Sequence, residues 1–184
     1  MLDLNTAELS VRKAAAADAA SPAELLTQLS HDSDSEVRQA VTDNPNTPTE
    51  VLLQLGKEFP DEVVANPIFN IMLLEDLENR FVRLSLARSS TIPESALLQL
   101  SDLDDEEILC AIAANSATPL SILEKLVHHP PQLYEEPESS DYDRLFASVA
   151  KNPNTSVELL TELVEHGGHV CYAIAENPKR PFIK

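Results

Sequence analysis

Apolar residues in this chain come in short groups, an opening residue followed three and four places later by a small residue and then a larger one. Spacing of this kind, i, i+3 and i+4, marks one face of a short helix. The groups open at Val11, Val37, Phe59, Val82, Ile108, Leu145 and Val170. The small and larger residues that follow are Ala14/Ala15, Ala40/Val41, Ser85/Leu86, Ala111/Ile112, Ser148/Val149 and Ala173/Ile174. The group at Phe59 has Glu62 in the place of the small residue, which leaves its helix unsupported by the pattern. The recurrent Ala or Ser marks a point where neighbouring backbones approach closely. A second apolar pattern follows, as Leu25/Leu26/Leu29, Val51/Leu52/Leu55, Leu73/Leu74/Leu77, Leu97/Leu100, Ile122/Leu123/Leu126 and Leu159/Leu160/Leu163. A helix with one apolar stripe cannot bury it alone, whereas a series of such helices shares a continuous core. Stacked two-helix repeats are therefore expected.

Polar punctuation separates the two patterns. Asn44-Pro45, Asn66-Pro67, Asn152-Pro153 and Asn177-Pro178 occupy the same place in their repeats. Asn tolerates a left-handed cap and the following Pro cannot continue a helix, so the first helix is expected to stop here. Two residues later come Ser21-Pro22, Thr47-Pro48, Thr118-Pro119 and Thr155-Ser156. There a hydroxyl can cap free N–H groups and Pro suits the first helical position. Glu24, Glu50 and Glu158 then stand where a capping box would place them.

The motif V-R-x-A-V-x-x-N-P-x-T-P-x-x-L-L-x-x-L resembles the leucine-rich repeat variant family. Val37 to Leu55 fits it nearly position by position, and Ile108 to Leu126 and Leu145 to Leu163 fit well. The resemblance covers Val11 to Pro181. It implies an all-α fold, a right-handed α-α superhelix of about seven short two-helix repeats, similar to armadillo and HEAT arrays. The Arg after the opening residue is kept as Arg12, Arg38 and Arg83 but replaced by Leu109, Phe146 and Cys171, so a charge ladder is confined to the N-terminal half. Some relatives carry a Cys-rich iron–sulfur segment before the repeats. Residues 1–10 hold no Cys, so that cluster is not carried over.

Length and composition agree with one helical-repeat domain over residues 1–184. The chain has 43% hydrophobic residues, enough for a core, and 4% aromatic ones, too few for a base-stacking platform. A net charge of -18 repels phosphate backbones and anionic membrane surfaces, and either favours a protein partner with a basic surface or serves solubility alone. The first twenty residues contain Asp3, Glu8 and Asp18 and no continuous apolar stretch, so neither a signal peptide nor a membrane span is expected. Cys110 and Cys171 are too few and too far apart for a disulfide framework, and a reducing, cytoplasmic setting is the default. With only three glycines there is no phosphate-binding glycine loop, and H-E-x-x-H and G-x-S-x-G are absent.

Three segments are candidates for chemistry. Successive openings lie 22 to 26 residues apart, except for 37 between Ile108 and Leu145. The excess is an inserted acidic loop at 130–143, either a tolerated surface excursion or a binding element whose Tyr134, Glu135, Glu136 and Tyr142 are candidate partner-binding residues. Asp102, Asp104, Asp105, Glu106 and Glu107 form an acidic turn without the glycine and spacing of a calcium loop, read first as a solvated inter-repeat turn and only second as part of a strip for a basic partner. Asp32, Asp34 and Glu36 are a milder version of it. His166, His169 and Cys171 are zinc-type ligands, one short of a structural set unless His128 or His129 approaches, and the alternative is a Gly167-Gly168 turn beside a small buried cysteine. The leading expectation is a non-enzymatic protein–protein interaction scaffold that needs no cofactor or metal. Beside it stand an accessory or assembly factor for a metalloprotein or cofactor-bearing client, suggested by the resemblance alone, and a metal-binding protein or enzyme using His166, His169 and Cys171.

Overall fold

The computed structural model describes residues 7–76, 78–131 and 142–181, and all regular structure among them is helical. By backbone contacts the chain divides into two compact units, Met1–Ser85 and Leu86–Lys184. The first contains α1 (Leu9–Ala17), α2 (Ala23–Leu29), α3 (Ser35–Asp43), α4 (Thr49–Leu55), α5 (Pro60–Ala65) and α6 (Pro67–Glu75). α7 (Arg80–Arg88) crosses the division. The second unit continues with α8 (Glu94–Leu100), α9 (Glu106–Ala114), α10 (Leu120–His128), α11 (Asp143–Lys151) and α12 (Val157–Leu163), then a 3₁₀ turn at Val164–His166 and α13 (Gly168–Glu176).

Within each unit the first helices of successive repeats pack side by side, α1 on α3 and α3 on α5, then α9 on α11 and α11 on α13. The apolar positions read from sequence supply the core. Val37, Val41, Val51 and Leu52 are buried in the first unit, and Ile108, Ile112, Leu123, Leu145, Val149 and Leu160 in the second. One position escaped the pattern: the residue five after the opening, in five of the seven repeats. Ala16, Thr42, Ala87, Ala113 and Ala150 stand there, and all have no exposed surface. The opening Val11 is exposed, and among the described elements α1 packs chiefly on α2 and α3.

The asparagines do something other than end helices in the left-handed conformation. Asn44 has φ -75° and ψ 128°, and among the described residues no non-glycine has positive φ. Each side chain instead ties its repeat to the one before. Asn44 Nδ2 donates to the carbonyls of Ala16 at 2.7 Å and Asp18 at 2.9 Å. Asn66 repeats this on Thr42 at 2.7 Å and Asn44 at 3.0 Å. In the second unit Asn115 donates to Ala87 and Ser89, Asn152 to Ala113 and Asn115, and Asn177 to Ala150 and Asn152. The amide oxygens accept from the N–H two residues on, at Asn46, Ile68, Ala117, Asn154 and Lys179. All five side chains are buried, so both amide protons and the oxygen are satisfied where water cannot serve. The acceptors lie at the ends of the preceding first helices, where carbonyls have no intrahelical partner.

The Ser/Thr position also differs from expectation. Ser21 and Thr118 hydroxyls donate back to Ala15 and Ile112 carbonyls at 2.6 Å, so they cap the helix behind them. The following helices begin after Pro22, Pro48 and Pro119 without a side-chain cap, and only Ser156 caps forward, to Leu159 N–H. Glu24, Glu50 and Glu158 lie in the first turn, where a negative charge meets the positive end of the helix dipole.

The third repeat departs in phase. Its first helix exists as the six-residue α5, with Val63 buried and Glu62 turned outward to accept from Gln39. Asn66 then ends α5 and caps α6 at once, because Pro67 follows with no intervening turn. Starting early rotates the helix, so Phe69 is the buried residue. Leu73 is half-buried, Leu74 is 86% exposed, and Leu77 lies outside the described residues.

Candidate functional site

The acidic turn between α8 and α9 is built of committed carboxylates. Asp102 meets Lys125 Nζ at 2.7 Å, and the same ammonium lies 2.8 Å from Ser101 Oγ. Asp105 caps α9, accepting from the N–H groups of Glu107 at 3.0 Å and Ile108 at 3.2 Å. Glu106 pairs with Arg144 at 3.1 Å and Glu107 with Arg88 at 2.9 Å. Asp104 is exposed to solvent. The turn is therefore first a device for starting α9 and for meeting cations of α7, α10 and α11.

The equivalent turn before α3 follows the same plan. Asp34 caps α3 through Glu36 N–H at 2.8 Å, and Glu36 meets Lys13 at 2.6 Å. Asp32 takes two bonds from the Arg12 guanidinium, at 2.6 and 3.1 Å, with both side chains largely shielded. Arg38 pairs with Glu58 in the same register, giving the N-terminal half its two-rung charge ladder. The hydrogen bonds from Arg12 hold the Asp32 carboxyl below its ordinary range, against the opposing effect of burial. A depressed pKa contributes stability that is fully present above the unfolded value, about 3.9, and is lost as pH falls through the folded one. Arg12→Met is therefore expected to lower stability near neutral pH. The difference from the parent should shrink in urea melts run below about pH 3. A pH-independent difference would mean that Arg12 acts through packing and its bond to the Ala7 carbonyl, not through Asp32.

Of the inserted loop, Tyr134, Glu135 and Glu136 lie outside the described residues. Tyr142 stands at its return point, with its hydroxyl donating to Pro131 carbonyl at 3.2 Å and its ring stacked on Phe146 at 5.8 Å. Both ends of the insertion thus meet at one place. Asn152 makes its two bonds across 39 and 37 residues with the geometry that Asn177 makes across 27 and 25. The insertion consequently leaves the packing of α11 on α9 undisturbed.

No family model, no curated protein and no solved structure matches this chain. The residues themselves therefore carry the argument about chemistry. Among the described residues no group of three or more His, Cys, Asp or Glu is arranged to hold a metal ion. The His166 ring packs edge-on against Phe146 at 4.5 Å, and His128 meets Glu162 at 2.9 Å. Gly167 and Gly168 have φ of 66° and 44°, the turn that two glycines permit. Cys171 is exposed, contrary to its expected burial, because it stands one place past the buried Val170 on α13.

A groove of about 250 Å³ runs over α9, α11 and α13, lined by Cys110, Asp143, Arg144, Ser148, Lys151 and His169 among others. Its two strong cations are already engaged, Arg144 with Glu106 and Lys151 with Glu176 at 3.0 Å. Burial pushes the Cys110 thiol pKa up, so the thiol is protonated at neutral pH and is a poor nucleophile.

Sequence reasoning missed the asparagine amides, the residues on which the helix packing in both units turns. Their signal was present as a column, in which Asn44, Asn66, Asn115, Asn152 and Asn177 share a register with Asp18 and Ser89.

Proposed function

We propose that the chain is a protein-interaction scaffold whose repeats stack into the right-handed superhelix that the leucine-rich repeat variant motif implies. The observation that supports this reading is the amide clamp. It recurs with the same two acceptors on each preceding repeat and so fixes first helices side by side within each compact unit. Rows of helices held in this way present a broad, shape-stable surface, which suits an extended partner. The charge of -18 favours a partner with a basic surface, steered in by long-range attraction that salt screens.

The test is affinity capture with tagged chain at about 50 and about 500 mM salt, against Asp104→Lys as comparison. Asp104 is exposed and takes no part in the cap or the ion pairs of its turn, so reversing it leaves them intact. A discrete protein retained at low salt, released at high salt and weakened several-fold by the reversal is the expected result. Retention of no protein above an untagged control, or retention indifferent to both salt and reversal, would reject the reading.

A further inference from the structure

In the first and last described repeats the groups around the clamp column differ from those in between. Asp18 occupies it in the first described repeat, and its Oδ1 accepts from Ala20 N–H at 2.9 Å, as the asparagine oxygens do in their own turns. Aspartate and asparagine are nearly the same size, so the turn survives. The two N–H donors do not: a charged oxygen stands where the amide nitrogen would be, and it would meet two carbonyl oxygens of any repeat stacked before it.

At the other extreme, the acceptors that a following repeat would use are the carbonyls of Ala175 and Asn177. Arg180 stands in the column of Ser21, Thr47, Thr118 and Thr155. Those hydroxyls return to the carbonyl six residues back. The longer guanidinium donates instead to Ala175 carbonyl at 3.0 Å, the acceptor that corresponds to Ala150 and Ala113 in the repeats before. Its own N–H donates to Asn177 carbonyl at 3.1 Å, as Thr155 N–H does to Asn152. The small residues on both extremes are bare: Ala14 and Ala175 are exposed, although their counterparts Ala173 and Ala150 are buried.

The two faces thus carry the columns through which successive repeats pack, with different polar groups at the clamp positions. We propose that Asp18 and Arg180 together keep a second copy of this chain from stacking head to tail on the first. A contact of that kind joins two different faces and does not close on itself, so its product would be an open series of growing length.

The test restores the missing donor and frees the acceptor, by combining Asp18→Asn with Arg180→Thr. Masses are read by light scattering after size exclusion, from micromolar to submillimolar protein, in about 150 mM salt to damp the mutual repulsion of acidic chains. The parent is expected at the 20.2 kDa of one chain throughout. The double variant should show a mass that climbs with concentration, with association strengthened about tenfold or more, the net of two amide hydrogen bonds. Asp18→Ala with Arg180→Thr removes the charge without supplying donors and should remain a single chain. A parent that already associates end to end overturns the proposal. So does a double variant with an unchanged helical melt that stays single at the highest concentration, or an alanine version that associates equally well.

Discussion

Replacing Asn152 by alanine is expected to lower stability by about 3 kcal/mol, among the largest effects of any single polar substitution in this chain. The side chain is 1% exposed and makes three bonds at once. Its loss strands the Ala113 carbonyl in the last turn of α9, while the Asn115 carbonyl keeps the N–H of Thr118. A buried acceptor left without a donor costs about 1–3 kcal/mol, and each of the other two bonds adds about 0.5–1.5. Asn152→Asp is the sharper test. It preserves the turn to Asn154 but sets a carboxylate against two carbonyl oxygens, so it should be worse than alanine at neutral pH. Burial and those oxygens raise the folded pKa of such a carboxyl above its unfolded value. Stability of this variant should therefore rise as pH falls through the raised value, level off near about pH 4, and not follow the alanine variant. Urea melts followed by two probes, to detect separate transitions of the two compact units, give the comparison. A loss below about 1 kcal/mol for alanine would show that the amide is incidental to the packing.

That importance was invisible in the sequence for a definite reason. Local rules for Asn-Pro concern the residue's own turn, and they located the helix ends: α3, α11 and α13 all stop at the residue before the asparagine. The decisive partners are carbonyls 22 to 39 residues away, which no local rule can supply. What the sequence did contain was a constraint on substitution. Asp18 and Ser89 share with asparagine the ability to accept from the N–H two residues on, as Ala20 and Thr91 show. Neither carries an amide's pair of donors. A column that mixes Asn, Asp and Ser reads as turn chemistry, and it is the amide's pair of donors, not burial, that marks the members that also clamp, since Ser89 is as buried as the asparagines.

The acidic turn at Asp102 to Glu107 was legible as a segment and illegible in its roles. A run of carboxylates reads as a solvated face unless the cations are known to lie close. Here they come from Arg88, Lys125 and Arg144, on three different helices. Asp105 looked like one more surface charge and is the cap of α9. Reversing Asp105 to Lys would therefore report on helix stability, and only Asp104 reports cleanly on binding. Apolar periodicity, in contrast, needs no knowledge of partners, because a residue's place on its own helix already decides which way it faces.

The third repeat shows where even that reading fails, and it supplies the second large effect. Leu52 and Leu74 occupy the same column, eight residues after Asn44 and Asn66, and the repeat pattern alone assigns both to the core. In α4 the three-residue turn before Pro48 sets the phase, and Leu52 has no exposed surface. In α6 the helix begins at Pro67, directly after its cap, so the column is displaced around the axis. At about 100° per residue, Leu74 lies roughly 140° from the buried Phe69. Leu52→Ala should cost about 2–5 kcal/mol, the transfer of a whole side chain plus the cavity it leaves. Leu74→Ala should stay within about 0.5 kcal/mol, since an exposed side chain loses little when truncated. Both lie in the first compact unit, so one urea melt of each variant reports on the same transition. Equal losses would mean that α6 is wound in the register of its neighbours and that Phe69 is not the residue that fills the core beneath it.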